Sequence, residues 1–180
     1  MGCSSHEVTD YEENNNLNNQ MKLFDYGKYV GELKNNKMEG KGIFYFNNGD
    51  RYEGEYKNNK KNGKGVYYYK NGNKYDGNFN NDQFNGEGKF FWNNGDKFEG
   101  MYKNDKIEGK GIYYYFNGDK YDGDWKNDLR EGKGIFYWTN GNRYEGEFKN
   151  DKLDGKGIFY YSDGKKEYQE YREDKLISHN

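Results

Sequence analysis

The sequence predicts an all-β chain, an elongated single-layer antiparallel β-meander of repeated hairpins. Three observations carry that expectation. A 23-residue period runs through most of the chain, and glycine recurs at four fixed places in every copy. Within each copy, side chains alternate with the two-residue rhythm of a half-exposed strand, and no stretch of helical periodicity interrupts the pattern.

The composition agrees with a thin fold. Among 180 residues, 36 are aromatic (21 Tyr, 12 Phe, 3 Trp), whereas Leu, Ile, Val and Phe together number only 27. Apolar area sits in rings, which bury large surfaces each, so an ordered sheet is within reach although a thick aliphatic core is not. The 29 basic side chains nearly cancel the 31 acidic ones, which leaves no electrostatic footprint for nucleic acid. No run of roughly 18 apolar residues occurs, and the start lacks the basic-then-apolar plan of a secretory signal. The expectation is therefore a chain that neither spans a bilayer nor enters the secretory route. Cys3 is the only cysteine, which excludes an intrachain disulfide and a multi-cysteine metal site and fits a reducing, cytosolic setting. Alanine and proline are absent while Asn and Lys abound, so part of the Asn excess reads as codon bias.

The period is set by the aromatic-x-Gly triplets that begin at Tyr29, Tyr52, Tyr75, Phe98, Tyr121 and Tyr144, and six copies fill residues 29–166 without a gap. Numbering positions from each first ring, glycine holds the third, twelfth, fourteenth and twenty-first, which accounts for 24 of the 26 glycines. Rings hold position one, position five in five copies of six, and positions sixteen to eighteen. The half-copy Tyr144 to Asn150 alternates ring, acid, glycine, acid, ring, base and reads as a strand. Gly155 to Tyr161 reads as its partner, with Asn150 to Asp154 and Ser162 to Lys165 as turn material. Each copy is thus one hairpin. Asn-Gly within the loop segments tolerates positive φ at both residues and explains those turns without invoking calcium.

Consecutive hairpins should pair into a continuous sheet whose units contact only their neighbours, and at about 4.8 Å per strand six copies extend roughly 58 Å. Rings at positions one, five, sixteen and eighteen share strand parity with the third and fourteenth glycines. Bulky faces can then lie over bare backbone of an adjacent strand, as aromatics do when they cover sheet glycines.

These residues resemble the MORN (membrane occupation and recognition nexus) repeat: aromatic-x-Gly-Glu-aromatic-Lys-Asn, then Gly-Lys-Gly-Ile-aromatic and Asn-Gly-Asp. The resemblance covers 138 of 180 residues. It implies the meander fold and a role as scaffold, dimerisation module or lipid-binding module. Lys89, Met101 and Leu129 depart from their columns and mark copies three to five as partner-facing. The domain reading is a flexible, acylated segment 1–20, an N-terminal cap 21–28, the six repeats 29–166, and a C-terminal half-repeat 167–180 whose charges guard the last sheet edge.

The N-terminus carries the one chemical motif. Gly2, after a removable Met, offers the unhindered amine that N-myristoylation needs, and Cys3 beside it can take palmitate. The match is incomplete, since His6 stands where Ser or Thr belongs and Ser5 comes one place early. One myristoyl chain binds membranes only marginally, so residence would require the second acyl group on Cys3.

No enzyme is expected. The only histidines, His6 and His179, lie in the terminal tails, and no motif places a base beside Ser4, Ser5, Ser162 or Ser178. Gly-Lys-Gly lacks the Walker spacing of a phosphate loop, and no cofactor, metal or small-molecule substrate is indicated. Three successive rings cannot all face one way, so an aromatic contact stripe is expected from Tyr45, Tyr68, Phe91, Tyr114, Tyr137 and Tyr160 with Trp92 and Trp138. The functional expectation is a non-enzymatic adaptor, lipid-anchored at the cytosolic face of the plasma membrane or an underlying membrane or cytoskeletal layer. There the stripe would bind a protein partner or a second copy. The competing expectation is a module whose repeats bind lipid headgroups directly, although acids offset most of its lysines.

Overall fold

The computed structural model describes residues 20–180. It contains one sheet of 15 antiparallel strands whose spatial order follows chain order throughout. Strands β1 (Gln20–Phe24), β2 (Gly27–Lys34), β3 (Lys37–Phe46), β4 (Arg51–Lys57) and β5 (Lys60–Tyr68) open the sheet. Its middle is β6 (Lys74–Asn80), β7 (Gln83–Phe91), β8 (Lys97–Lys103), β9 (Lys106–Tyr114) and β10 (Lys120–Lys126). It closes with β11 (Leu129–Tyr137), β12 (Arg143–Lys149), β13 (Lys152–Tyr160), β14 (Lys166–Arg172) and β15 (Lys175–His179). The all-β, single-layer meander expected from the period is the observed architecture.

The hairpin turn differs from the sequence expectation. Asn150 to Asp154 is not a five-residue turn: only Asn150 (φ 48°) and Asp151 (φ 67°) turn, and Lys152 already begins β13. Two central residues with positive φ define the tight turn whose twist matches that of its flanking strands. Every repeat uses such a pair at positions seven and eight, from Asn35 and Asn36 to Asn150 and Asp151. In the Asn-Gly loops, by contrast, only the glycine has positive φ, as at Gly118 (90°). Asn117 before it instead accepts the Asp119 amide on Oδ1 at 3.0 Å. Asn is thus a working turn residue at both ends of the hairpin.

Position eight does more than turn. Its side-chain Oδ1 accepts the position-ten amide of the preceding copy at 2.8 Å in all six junctions, from Met38–Asn59 to Leu153–Asp174. The position-eight amide donates back to the carbonyl of the same residue at 2.9 to 3.1 Å. Along the opposite edge, Asp50, Asn73, Asp96, Asp119 and Asn142 each accept the position-nineteen amide of the next loop at 2.7 to 2.9 Å. Both long edges are therefore stitched copy to copy by carboxamide and carboxylate oxygens.

A sheet without a second layer can bury a face only by bending over it. Each repeat supplies the bend as a β-bulge, where pairing slips between positions three and five. In copy five, Asp124 alone opposes Glu131, Gly132 and Lys133, and Gly132 takes φ 77°. Bulges bend and twist the strand that carries them. The bend brings turn-end side chains onto loop-end rings: Lys61 Nζ lies 4.8 Å from the Tyr67 ring centroid, and the Trp125 ring 6.1 Å from Tyr113. The ring face is the inside of this curve.

On that inner face the position-one ring is the anchor. Tyr29, Tyr52, Tyr75, Phe98, Tyr121 and Tyr144 are all fully buried. Each lies over the glycine pair formed by its own position three and position fourteen of the next strand, and the three nearest atoms to a Cβ added to Gly134 all belong to the Tyr121 side chain. Tyr29, Tyr52, Tyr75 and Tyr121 also donate their hydroxyls to the position-four carbonyl that the bulge frees from the ladder, at 2.9 to 3.1 Å. Position-five rings stand edge-on to them, with centroids 5.2 Å apart for Tyr52–Tyr56, Tyr75–Phe79 and Tyr121–Trp125. That geometry places a positive ring edge on a negative face.

Two stability predictions follow from this packing. Asp128→Ala removes the acceptor for the Ile107 amide and puts a Cβ without side-chain compensation at φ 70°, and it should lower unfolding stability in urea by about 2 kcal/mol. Asp128→Asn keeps both features and should stay within about 0.5 kcal/mol of wild type. Tyr102, whose buried hydroxyl has no partner, should tolerate replacement by Phe with a gain of up to about 1 kcal/mol.

Candidate functional site: two aromatic faces

The eight aromatic residues expected to form one contact stripe divide between two faces. Strand parity sends Tyr45, Tyr68, Phe91, Tyr114, Tyr137 and Tyr160 to the outer face, one per repeat. Trp92 and Trp138 lie on the inner face, against Phe90, Tyr113, Phe136 and Phe159.

On the outer face each position-seventeen ring is flanked across the ladder by cations. Register places Lys28, Tyr45, Arg51, Tyr68, Lys74, Phe91, Lys97, Tyr114, Lys120, Tyr137, Arg143, Tyr160 and Lys166 in one row, a single residue per strand. In every repeat a cation stands over the ring, from 3.8 Å for Arg143 on Tyr160 to 5.2 Å for Lys28 on Tyr45. Such pairs stabilise by about 0.5 to 1 kcal/mol where exposed. The rings on this side therefore already have partners within the sheet. The adjoining row alternates Ile or Val with acids. Glu99 there takes Lys97 at 3.1 Å and Lys89 at 3.2 Å, and these bonds hold its carboxyl below the usual glutamate range.

Lys89 and Met101 have local accounts, and nothing in the structure explains Leu129. Lys89 is the cross-strand partner of Glu99. Met101 removes the carboxylate that in copies one, two, five and six accepts the bulge amide, as Glu32 does from Lys41 at 3.0 Å and Asp124 from Lys133 at 3.2 Å. Lys110 instead reaches Asp124 in the next copy at 2.6 Å. Lys89 and Met101 both line an open hollow of about 780 Å³ on the outer face.

The inner face holds what the sequence reading missed. Rings at positions sixteen and eighteen form an unbroken zigzag: Phe46, Tyr67, Tyr69, Phe90, Trp92, Tyr113, Tyr115, Phe136, Trp138, Phe159 and Tyr161. Successive centroids are 4.6 to 5.9 Å apart. These rings are half-buried, unlike the sealed rings at position one. The signal was present as the constant ring at position eighteen, but parity alone does not say which face the bulge will close.

Polar atoms along this trough fall into two groups. Tyr67 and Tyr113 donate to Asp50 and Asp96, both at 2.9 Å. Tyr69 Oη, Trp92 Nε1, Tyr115 Oη and Trp138 Nε1, one per repeat in four consecutive copies, make no hydrogen bond to any described residue. Carboxylates line both edges: Asp50, Asp96 and Asp119 on the loop side, and Asp82, Asp105, Asp128 and Asp151 on the turn side. Between them the strands of copies two to five contribute two cations, Lys61 and Arg130. Arg130 stacks near Tyr121, Phe136 and Phe148 and pairs with Asp151 at 3.3 Å. Lys61 sits within 6 Å of four ring centroids, and burial lowers its pKa while Asp82, Asp105 and Asp50 oppose that. Carboxylates on both edges reach the ring hydroxyls: burial pushes Tyr69 up to about 12, with Asp50 and Asp105 adding to the shift.

The six periods match the MORN repeat family model one for one, over residues 29–51, 52–74, 75–97, 98–120, 121–143 and 144–166. The chain belongs to the MORN-repeat family. No curated protein is a significant match to it. Solved structures match it at low identity. The TCP domain of Drosophila melanogaster SAS-4 (dCPAP), in complex with a proline-rich motif of Ana2 (dSTIL), is 14% identical. That match covers 89% of this chain and 97% of that one, with a TM-score of 0.49. The TCP10c domain of Drosophila melanogaster Sas-4 is 12% identical over 72% of this chain and 91% of that one, with a TM-score of 0.39. The wild-type TCP10 domain of Danio rerio CPAP is 16% identical over 89% and 99%, with a TM-score of 0.27. At these scores the likeness bears no weight on what this chain binds.

The edge carboxylates give a pH prediction. Partial burial alone would raise Asp50 and Asp96. The loop amides, the tyrosine hydroxyls and the Asn48 and Asn94 amides outweigh it, so both carboxyls lie below the ordinary aspartate value. A carboxyl depressed in the folded state contributes stability that is complete above about pH 4 and is lost as pH falls through its folded value. Urea midpoints of wild type should therefore fall on acidification below about pH 4 more steeply than those of Asp50→Asn/Asp96→Asn. That variant carries the residue type already used at Asn73 and Asn142.

Proposed function

We propose that this chain is a non-enzymatic scaffold that docks a protein partner in the inner ring trough and is held at the cytosolic face of a membrane by acyl groups on Gly2 and Cys3. The observation that supports the docking half is the zigzag of half-buried rings whose position-eighteen donors in four consecutive repeats have no partner among the described residues. Tyr and Trp dominate protein contact sites because they combine large apolar area with a polar tip. The outer rings are the weaker candidate, since each already sits beneath a cation. Gly2 and Cys3 lie outside the described residues, and the tether rests on the Met-Gly-Cys start alone.

The competing reading is direct headgroup binding, and the row of cations on the outer face is the feature that favours it. Charge opposes it: Arg51, Lys74 and Lys97 each have an acid within 3.1 to 3.8 Å on the same strand. Anionic surfaces attract uncompensated basic clusters.

Proximity labelling in the native cell separates the halves of the proposal. Trp92→Ala/Trp138→Ala should keep its membrane position and lose the wild-type neighbours, whereas Gly2→Ala and Cys3→Ser should become diffuse. An unchanged neighbour set in the double variant would remove the docking half, and unchanged membrane residence in both N-terminal variants the tether. Strong, salt-sensitive sedimentation of the unacylated full chain with phosphatidylserine vesicles would favour the headgroup reading.

A further inference from the structure

The trough has a pitch, and the pitch selects a partner conformation. Each repeat adds two strands, so its features recur about every 9.6 Å along the sheet axis. A polyproline II helix has three residues per turn and a rise of about 3.1 Å, so one of its edges repeats about every 9.3 Å. An extended strand covers a similar length in three residues, but an odd step turns its next side chain to the opposite face. An α-helix presents a near-repeating face about every 10.5 Å, in seven residues, and slips by nearly an ångström per repeat. Only polyproline II keeps both distance and facing in step with the trough.

The chemistry along the trough suits the same ligand. A polyproline II backbone has no internal hydrogen bonds and leaves its carbonyls free to accept. Tyr69 Oη, Trp92 Nε1, Tyr115 Oη and Trp138 Nε1 offer one unengaged donor per repeat, beside rings that can receive proline faces. The turn-side rim adds charge. Asp82, Asp105 and Asp128 each use Oδ1 for the copy-to-copy stitch, and among the described residues nothing donates to Oδ2. With the loop-side Asp50, Asp96 and Asp119, seven carboxylates border copies two to five against Lys61 and Arg130, and Arg130 is already paired to the seventh, Asp151.

We infer that the inner trough binds a basic, proline-rich segment of a partner protein in polyproline II conformation, one turn of the ligand per repeat, with carbonyls on the Tyr69, Trp92, Tyr115 and Trp138 donors and basic side chains toward the acidic rim. The inference rests on the reading of the trough as a protein-docking surface and specifies the occupant. It needs no rearrangement of the sheet, because the donors and the rim are already in place in the unbound chain.

Fluorescence anisotropy with the full chain tests it. The probe is a fluorescein-labelled peptide of repeated Pro-Pro-Arg triplets, about five turns long. The comparison peptide has the same number of arginines in Pro-Pro-Pro-Arg order, which keeps the helix and breaks the threefold register. A third peptide replaces proline by glycine, keeping charge and spacing without the preformed helix. The triplet peptide should bind about tenfold tighter than either. Trp92→Phe/Trp138→Phe, which keeps an aromatic ring at each place and deletes two donors, should weaken the triplet peptide about tenfold, at roughly one hydrogen bond each. Equal binding of all three peptides would overturn the conformational inference while leaving the trough a basic-segment dock. No binding of any peptide would overturn it outright, and the docking reading would then stand or fall on the proximity-labelling result. Because the peptide comparison uses wild-type protein, poor folding of a variant could not decide the matter.

Discussion

Everything in this sheet depends on a ring lying flat over two glycines. A single-layer meander has no second sheet or helix to close its core, so the closing surface must come from its own side chains. The position-one aromatic provides it by folding back across its neighbouring strand, and only a strand bare of Cβ at that point leaves room. Twelve consecutive glycines, from Gly31 to Gly157, run across the register as one bare ribbon to receive six rings. Phe98 fills the seat without a hydroxyl, so ring area rather than the hydrogen bond is the essential element. The bulge, the edge-on ring at position five and the copy-to-copy stitches are arranged around that contact.

Much of this was legible in the chain because a repeat states each requirement six times. The hairpin unit, the sheet order and the pairing of ring with bare glycine follow from parity and period. The turn at Asn150–Asp151 was misjudged for a physical reason: Lys152 to Asp154 look like loop residues. Asp151 was not recognisable as an acceptor for the Arg130 amide one copy earlier, a bond between residues far apart in sequence. The division of the aromatic stripe shows a similar limit. Parity correctly set Tyr68 and Tyr137 opposite to their neighbours, yet Trp92 and Trp138 belong to a face that becomes a trough only because the bulge at position twelve curls the hairpin.

The two faces consequently differ in kind. The outer face is largely satisfied internally: its rings lie under cations, and three of those cations, Arg51, Lys74 and Lys97, lie beside acids. The inner face is sealed by rings at its floor, where only the hydroxyls of Tyr56, Tyr102 and Tyr144 are buried without a partner, and open along its lip, where donors at position eighteen and rim carboxylate oxygens at position eight have no partner among the described residues. Irregular residues divide in the same way, with Lys89 and Met101 absorbed into outer-face charge pairing, while Lys61 and Arg130 put cations among the inner rings. A scaffold of this design can change its outer surface with little consequence for the fold, because the rings seated on the glycine ribbon all lie on the other face.

The seat of ring on glycine is open to direct measurement by a double-mutant cycle at Gly134 and Tyr121, followed by urea unfolding. Gly134→Ala in the wild-type background should cost about 2 to 3 kcal/mol, since the nearest atoms that the new methyl group meets all belong to the Tyr121 side chain. In a Tyr121→Ala background the same substitution should cost less than about 1 kcal/mol. An equal cost in both backgrounds would mean that the glycine serves its own backbone rather than the ring, and the account of this fold would be contradicted.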